Sequence, residues 1–83
     1  MTNARDIVLA AIGRIAPEVD TAALAPDVDF REEAELDSMD FLGVLAAVQE
    51  ATGIDVPESD YPRIVTIDRF SDYLTARLQP SGA

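Results

Sequence analysis

The sequence contains no cysteine, no histidine and no lysine, and its only basic residues are six arginines. Without a thiol or an imidazole, the chain lacks the groups that usually activate a serine nucleophile or bind zinc. It also has no apolar run that approaches the ~20 residues of a membrane-spanning helix, so we expect no membrane insertion. We therefore do not expect an enzyme, and the absence of disulfides fits a reducing compartment such as the cytoplasm.

Charge of one sign dominates the chain. Sixteen acidic residues outweigh the six arginines and give a formal net charge of −10. Such a surface repels a phosphate backbone, so nucleic acid is not an expected partner. A basic patch on another protein would be attracted. The same acids could equally serve only to keep a small domain soluble.

Apolar residues at spacings of three and four predict three substantial helices. The first covers residues 3–16, the second runs from Ser38 to about Thr52, and the last follows Thr66, which is expected to cap it. Gly53 suits the left-handed position just past a helix end. The second helix is the best defined of the three.

The rest of the chain shows little periodicity. Residues 18–37 predict a long loop whose scattered apolar side chains hold it across the helices, and residues 58–64 predict one or two helical turns. No strand pattern is present. The predicted fold is all-α, a small four-helix bundle of three main helices and one short helix, with the long loop between helices one and two. One domain spans residues 1–78, and a disordered tail covers residues 79–83.

The second helix carries two apolar faces. A helical projection places one set of residues toward the core and a second set on roughly the opposite side, where Gly43 and Gln49 also fall. An apolar set outside the core is a candidate contact surface. The core set is Phe41, Val44, Leu45, Val48 and Thr52; the outer set is Met39, Leu42 and Ala46.

The pair Asp37-Ser38 opens this helix. Both residue types are favoured caps, because their oxygens accept hydrogen bonds from unpaired backbone amides. If Asp37 is the cap, Ser38 takes the first helical position and its hydroxyl faces solvent. A phosphate ester on that hydroxyl would then lie near the positive end of the helix.

No metal site is predicted. The acids of residues 27–33 alternate as in a calcium loop, but Arg31 takes a ligand position and Glu32 stands where glycine is required. These acids are expected to form a solvated loop.

Three segments together resemble the acyl carrier protein family: Leu36-Asp37-Ser38-Met39, residues 51–57 (ATGIDVP) and residues 65–74 (VTIDRFSDYL). The likeness extends through nearly the whole chain and includes its length, acidity and helix order. In that family a separate transferase esterifies the serine with phosphopantetheine, and the thiol of this arm carries acyl groups as thioesters. The resemblance implies attachment at Ser38, with Asp37 as part of the motif that the transferase recognises.

The family also implies partner contacts. Acyl-loading and acyl-processing enzymes with basic patches would dock on the outer apolar set, and the core could part to admit an acyl chain. A monomer is expected. The implied docking residues are Met39, Leu42 and Ala46 with the acids Asp37, Asp40 and Glu50, and the implied acyl-chain core is Phe41, Val44, Leu45, Val48 and Phe70.

Two departures from the family pattern carry consequences. Glu35 stands where the family commonly has glycine, so a different backbone and an added charge are expected there. Gly43 and Gln49 replace frequent acids of the second helix, which favours a specialised carrier. Fatty-acid, polyketide and specialised lipid pathways stay open. The alternatives are a peptidyl or aryl carrier of a peptide synthetase system and an unmodified acidic helical adaptor.

Overall fold

The computed structural model describes residues 3–78, and these residues form the predicted all-α fold. Within this range there is no β-strand, and the one extended pairing is an isolated bridge between Asp29 and Thr66. The predicted tail at residues 79–83 lies outside the described residues. The helices are α1 (Ala4–Ile15), α2 (Phe30–Glu33), α3 (Ser38–Thr52) and α4 (Ile67–Leu78), with 3₁₀ helices at Thr21–Ala23 and Glu58–Arg63.

Local side chains and glycine set the ends of the main helices. The Asn3 side chain accepts a hydrogen bond from the amide of Asp6 at 2.9 Å and caps α1. Thr66 accepts one from the amide of Arg69 at 3.1 Å, as predicted for the start of α4. Gly53 ends α3 with φ 76°, the left-handed conformation that glycine adopts without steric cost.

The core lies between α1 and the two other long helices, because α1 packs against both α3 and α4. Most residues of the predicted core face of α3 are buried, and Leu45 is half-buried. Gly43, predicted on the outer side, instead meets α1. A Cβ placed at Gly43 would lie 3.0 Å from Cδ1 of Ile15, so a larger residue there would require Ile15 to shift.

The segment between α1 and α3 is more ordered than predicted. It contains the first 3₁₀ helix and the single-turn helix α2, and it buries Leu24 and Phe30 completely or nearly so. The amide of Phe30 donates to the carbonyl of Val65 at 3.0 Å, which ties the segment to the start of α4. The expectation that its apolar residues hold it in place is wrong for Val28, which is 43% exposed, and for Ala22, which is also exposed.

The second 3₁₀ helix is fastened to α4 by a polar cluster. The Tyr73 hydroxyl donates to Oδ2 of Asp60 at 2.8 Å, and the Arg77 guanidinium lies 3.5 Å from the centre of the Tyr73 ring. Burial, together with the hydrogen bond to Asp60, raises the pKa of Tyr73 above its ordinary value.

No helix within residues 3–78 is long and apolar enough to cross a membrane.

Candidate functional site

Ser38 occupies the first position of α3 and is exposed to solvent. Asp37 is the N-cap: its Oδ1 accepts from the amide of Asp40 at 2.8 Å, and Oδ2 of Asp40 accepts from the amide of Asp37 at 3.4 Å. These reciprocal bonds form a capping box, which satisfies the helix start without the serine. The Ser38 hydroxyl is therefore free for other chemistry.

The turn before this cap closes the short helix α2. The amide of Leu36 donates to the carbonyl of Arg31 at 2.7 Å, and the amide of Glu35 donates to the carbonyl of Glu32 at 3.2 Å. These two bonds are the pattern of a Schellman motif, in which the residue after the C-cap takes a left-handed conformation. That residue is Glu35, with φ 55°.

The backbone at Glu35 has a positive φ. The residue adopts the left-handed conformation that glycine favours, although its Cβ makes this conformation costly by about 1 kcal/mol or more. Among the described residues, it is the one non-glycine residue with positive φ. The added negative charge is present and exposed, three positions before Ser38.

A cavity of about 650 Å³ lies beside Ser38. Residues of the segment before α3, the first turns of α3 and the second 3₁₀ helix form its walls, so three parts of the chain meet around the serine. Four carboxylates, one arginine and several apolar side chains line it. The lining residues are Arg31, Glu32, Glu35, Leu36, Asp37, Ser38, Phe41, Leu42, Glu58 and Tyr61.

Arg31 is held in place on the wall of this cavity. Its Nη2 donates to Oδ2 of Asp29 at 2.7 Å and its Nε donates to Oδ1 at 3.0 Å. The guanidinium carbon also lies 5.3 Å from the centre of the Phe41 ring. The hydrogen bond from Arg31 lowers the pKa of Asp29, so the ion pair persists to a lower pH than an ordinary aspartate would allow.

The predicted docking residues lie on one side of α3. Met39 is 76% exposed, Leu42 is 48% exposed and Ala46 is also exposed, as the projection of the helix predicted. The acids near them are already engaged within the chain. Asp37 and Asp40 form the capping box, and Oε2 of Glu50 accepts from Nη1 of Arg14 at 3.1 Å.

The predicted acyl-chain core is closed. Phe41, Val44, Val48 and Phe70 are buried and Leu45 is half-buried. The space between α3 and α4 is filled by an aromatic ring from the preceding segment. Phe30 lies with its ring centre 6.1 Å from that of Phe41 and 6.2 Å from that of Phe70.

Sequence reasoning did not assign Phe30, Arg31 or Tyr61 to the site. Phe30 separates α3 from α4, and Tyr61 meets the edge of Phe41 at 5.4 Å between ring centres. The spacing Asp29-x-Arg31 was a usable signal, because an aspartate side chain bonds readily to the backbone amide two residues on, as Asp29 does here at 2.9 Å.

The fold and the site define a small helical domain that presents a free serine at the head of its longest helix. Its sequence matches the family described as "Phosphopantetheine attachment site" over residues 6–74. Together with the relatives named acyl carrier protein, this match shows that the chain belongs to the acyl carrier protein family.

Similar proteins carry that name. The acyl carrier protein of Rubrobacter xylanophilus is 32% identical over 56 residues, which cover 68% of this chain and 69% of that protein. Acyl carrier protein 2, mitochondrial, of Arabidopsis thaliana is 29% identical over 62 residues, covering 75% of this chain and 49% of the relative. The acyl carrier protein of Thermosynechococcus vestitus is 23% identical over 60 residues, covering 72% and 74%. No solved structure matches the chain.

Family membership establishes three general properties. The prosthetic group is a covalently attached phosphopantetheine, the chain is a carrier and not an enzyme, and its partners include a phosphopantetheinyl transferase and acyl-processing enzymes. The residues present fit a phosphopantetheine group, because Ser38 offers an exposed hydroxyl and lines a cavity of about 650 Å³.

Replacement of Glu35 by glycine is expected to stabilise the fold. Glycine removes the Cβ that makes the left-handed conformation unfavourable, so the free energy of unfolding should rise by about 1 kcal/mol. Urea unfolding followed by circular dichroism measures this change. Glu35→Ala is the matched control, because it removes the charge and keeps the Cβ. Equal stabilisation by both variants would show that charge repulsion, and not backbone conformation, is relieved.

Proposed function

We propose that this chain carries acyl intermediates as thioesters on a phosphopantetheine arm attached to Ser38, and presents them to enzymes of fatty-acid, polyketide or specialised lipid biosynthesis. The observation that carries the proposal is the exposed Ser38 hydroxyl, left free by a capping box that closes the start of α3. We also propose that the chain is a monomer and that it acts in the cytoplasm. The compartment is a proposal because one relative is a mitochondrial protein.

The chain cannot supply the attachment chemistry itself. No histidine or cysteine is present to activate the serine, so a transferase must remove the hydroxyl proton. In the balanced step, Oγ of Ser38 bonds to the phosphorus that bears the pantetheine of coenzyme A. The bond from that phosphorus to the bridging pyrophosphate oxygen breaks, adenosine 3′,5′-bisphosphate leaves and no redox change occurs. The arm supplies a thiol that this cysteine-free chain lacks.

Ser38→Ala is expected to abolish loading. Incubation with coenzyme A and a phosphopantetheinyl transferase should add the mass of one phosphopantetheine to the wild-type chain and nothing to the variant. Intact-mass spectrometry measures both. Ser59→Ala is the matched control, since Ser59 is also exposed, and it should load like the wild type.

Loading of the Ser38→Ala variant would overturn the assignment of the arm to Ser38. Loading of the holo form by an amino acid-adenylating or aryl acid-adenylating enzyme, and by no acyl-loading enzyme, would favour the peptidyl or aryl carrier.

The outer side of α3 is proposed as the docking surface. Met39, Leu42 and Ala46 recur at spacings of three and four, so they form one apolar strip beside Ser38. Asp37, Asp40 and Glu50 would face basic groups of a partner. Since Glu50 already pairs with Arg14, a partner arginine or lysine would have to compete for it, and the apolar strip should therefore provide most of the affinity.

The double variant Met39→Gln and Leu42→Gln should weaken docking while leaving the fold intact, because both side chains are exposed. We expect the apparent KM of the transferase for the apo chain to rise about tenfold, the effect of losing ~1.4 kcal/mol of contact energy. Leu78→Gln is the control, since Leu78 is 45% exposed at the end of α4. An unchanged KM in the double variant, with an unchanged melting temperature, would place the docking surface elsewhere.

The core between α3 and α4 is proposed to part around the acyl chain. Phe41, Val44, Leu45, Val48 and Phe70 would line the opening, and Phe30 would have to move because it fills that space. Most of these side chains are buried, so opening the core would expose apolar surface to water. The acyl chain would then replace the contacts that are lost.

Lengthening the acyl chain on the holo form should therefore shift the NMR signals of these core residues progressively. The measurement is a series of ¹H–¹³C methyl and aromatic spectra of the chain loaded with acyl groups of increasing length. The exposed methyl groups of Leu78 serve as the internal control and should not move. Core signals that stay constant across the series would show that the cargo remains outside the bundle.

A further inference from the structure

One cation faces the cavity beside Ser38. Arg31 is the only positively charged residue of the lining, and the other charged residues of the lining are four carboxylates. Although the chain has a net charge of −10, this arginine lines the same cavity as the proposed attachment residue. We therefore ask whether Arg31 binds the group that is attached to Ser38.

Asp29 holds the Arg31 side chain in place but occupies only part of its hydrogen-bond donors. A guanidinium has five N–H groups, and Asp29 takes one from Nε and one from Nη2. Three N–H groups remain, and the side chain is 39% exposed, so they can reach a ligand that enters from solvent. The ion pair with Asp29 and the contact with the Phe41 ring fix the orientation of the fork in advance.

The guanidinium lies on the side of α3 that presents the serine. Phe41 follows Ser38 by three positions, so the two side chains are neighbours on adjacent turns of the helix. The guanidinium carbon is 5.3 Å from the centre of the Phe41 ring, and Arg31 and Ser38 line the same cavity.

The group bonded directly to Oγ of a phosphopantetheinylated serine is a phosphodiester with one negative charge. The carboxylates around the cavity repel that charge, whereas an arginine fork can donate two parallel hydrogen bonds to its non-bridging oxygens. We propose that Arg31 binds the phosphodiester of the arm through the N–H groups that Asp29 leaves free. The inference rests on the proposed attachment at Ser38.

The first test uses the wild-type chain alone. Apo and holo forms labelled with ¹⁵N are compared by NMR at the side-chain N–H signals of the six arginines, with the Arg31 signals assigned by their loss in Arg31→Gln. Conversion to the holo form should shift the Arg31 signals more than those of Arg63 or Arg69. Unchanged Arg31 signals in a chain that has gained the mass of one phosphopantetheine would overturn the inference and leave the attachment proposal standing.

The second test observes the phosphate. In ³¹P spectra, the signal of holo Arg31→Gln should move toward the position it has in urea-denatured holo protein, holo Arg31→Lys should lie between, and Arg63→Gln should match the wild type. If Arg31 only holds the preceding segment onto α3, the ³¹P chemical shift of holo Arg31→Gln will equal that of the wild type. That result would contradict the proposal. Absence of any mass increase in the wild type would instead overturn attachment itself.

Discussion

The hydrogen bond from the amide of Leu36 to the carbonyl of Arg31 is the constraint on which the site depends. It closes α2, forces Glu35 into the left-handed conformation and directs the chain straight into the N-cap of α3. The amides of Leu36, Asp37 and Asp40 all find acceptors within this junction. The serine that follows is therefore spared a structural role, and Arg31 is placed on the wall of the same cavity.

Helix α3 has two apolar faces on different sides of its axis. One packs in the core and the other is exposed to solvent. Phe41, Val44 and Val48 enter the core, while Met39 and Leu42 stay in solvent. The core side is completed by Phe30 from the preceding segment, whose ring lies between those of Phe41 and Phe70. The first residue of α2 thus takes the position that direct packing of α3 on α4 would otherwise fill.

The elements that sequence alone predicted are those whose signals are local. The bounds of α3 follow from Asp37 at one end and Gly53 at the other, and the start of α4 follows from Thr66, because caps act within a few residues. The exposed strip of Met39 and Leu42 followed from helical spacing. The family resemblance rested on the same local segments and is confirmed by the match over residues 6–74.

The features that were missed depend on contacts between distant segments. Gly43 faces α1 because the two helices approach closely at Ile15, and nothing near Gly43 in the sequence reveals that neighbour. The helix α2 is one turn long, too short to show a period, so neither its presence nor the left-handed Glu35 after it could be predicted from spacing. The position of Arg31 depends on helix α2 and on the turn at Glu35.

The close approach at Gly43 has a mechanical consequence. Gly43 has no Cβ, and one placed there would lie 3.0 Å from Cδ1 of Ile15, so glycine lets α3 approach α1 more closely than a larger residue would. A larger residue at position 43 would therefore displace the Ile15 side chain or push the helix that bears Ser38 away from α1.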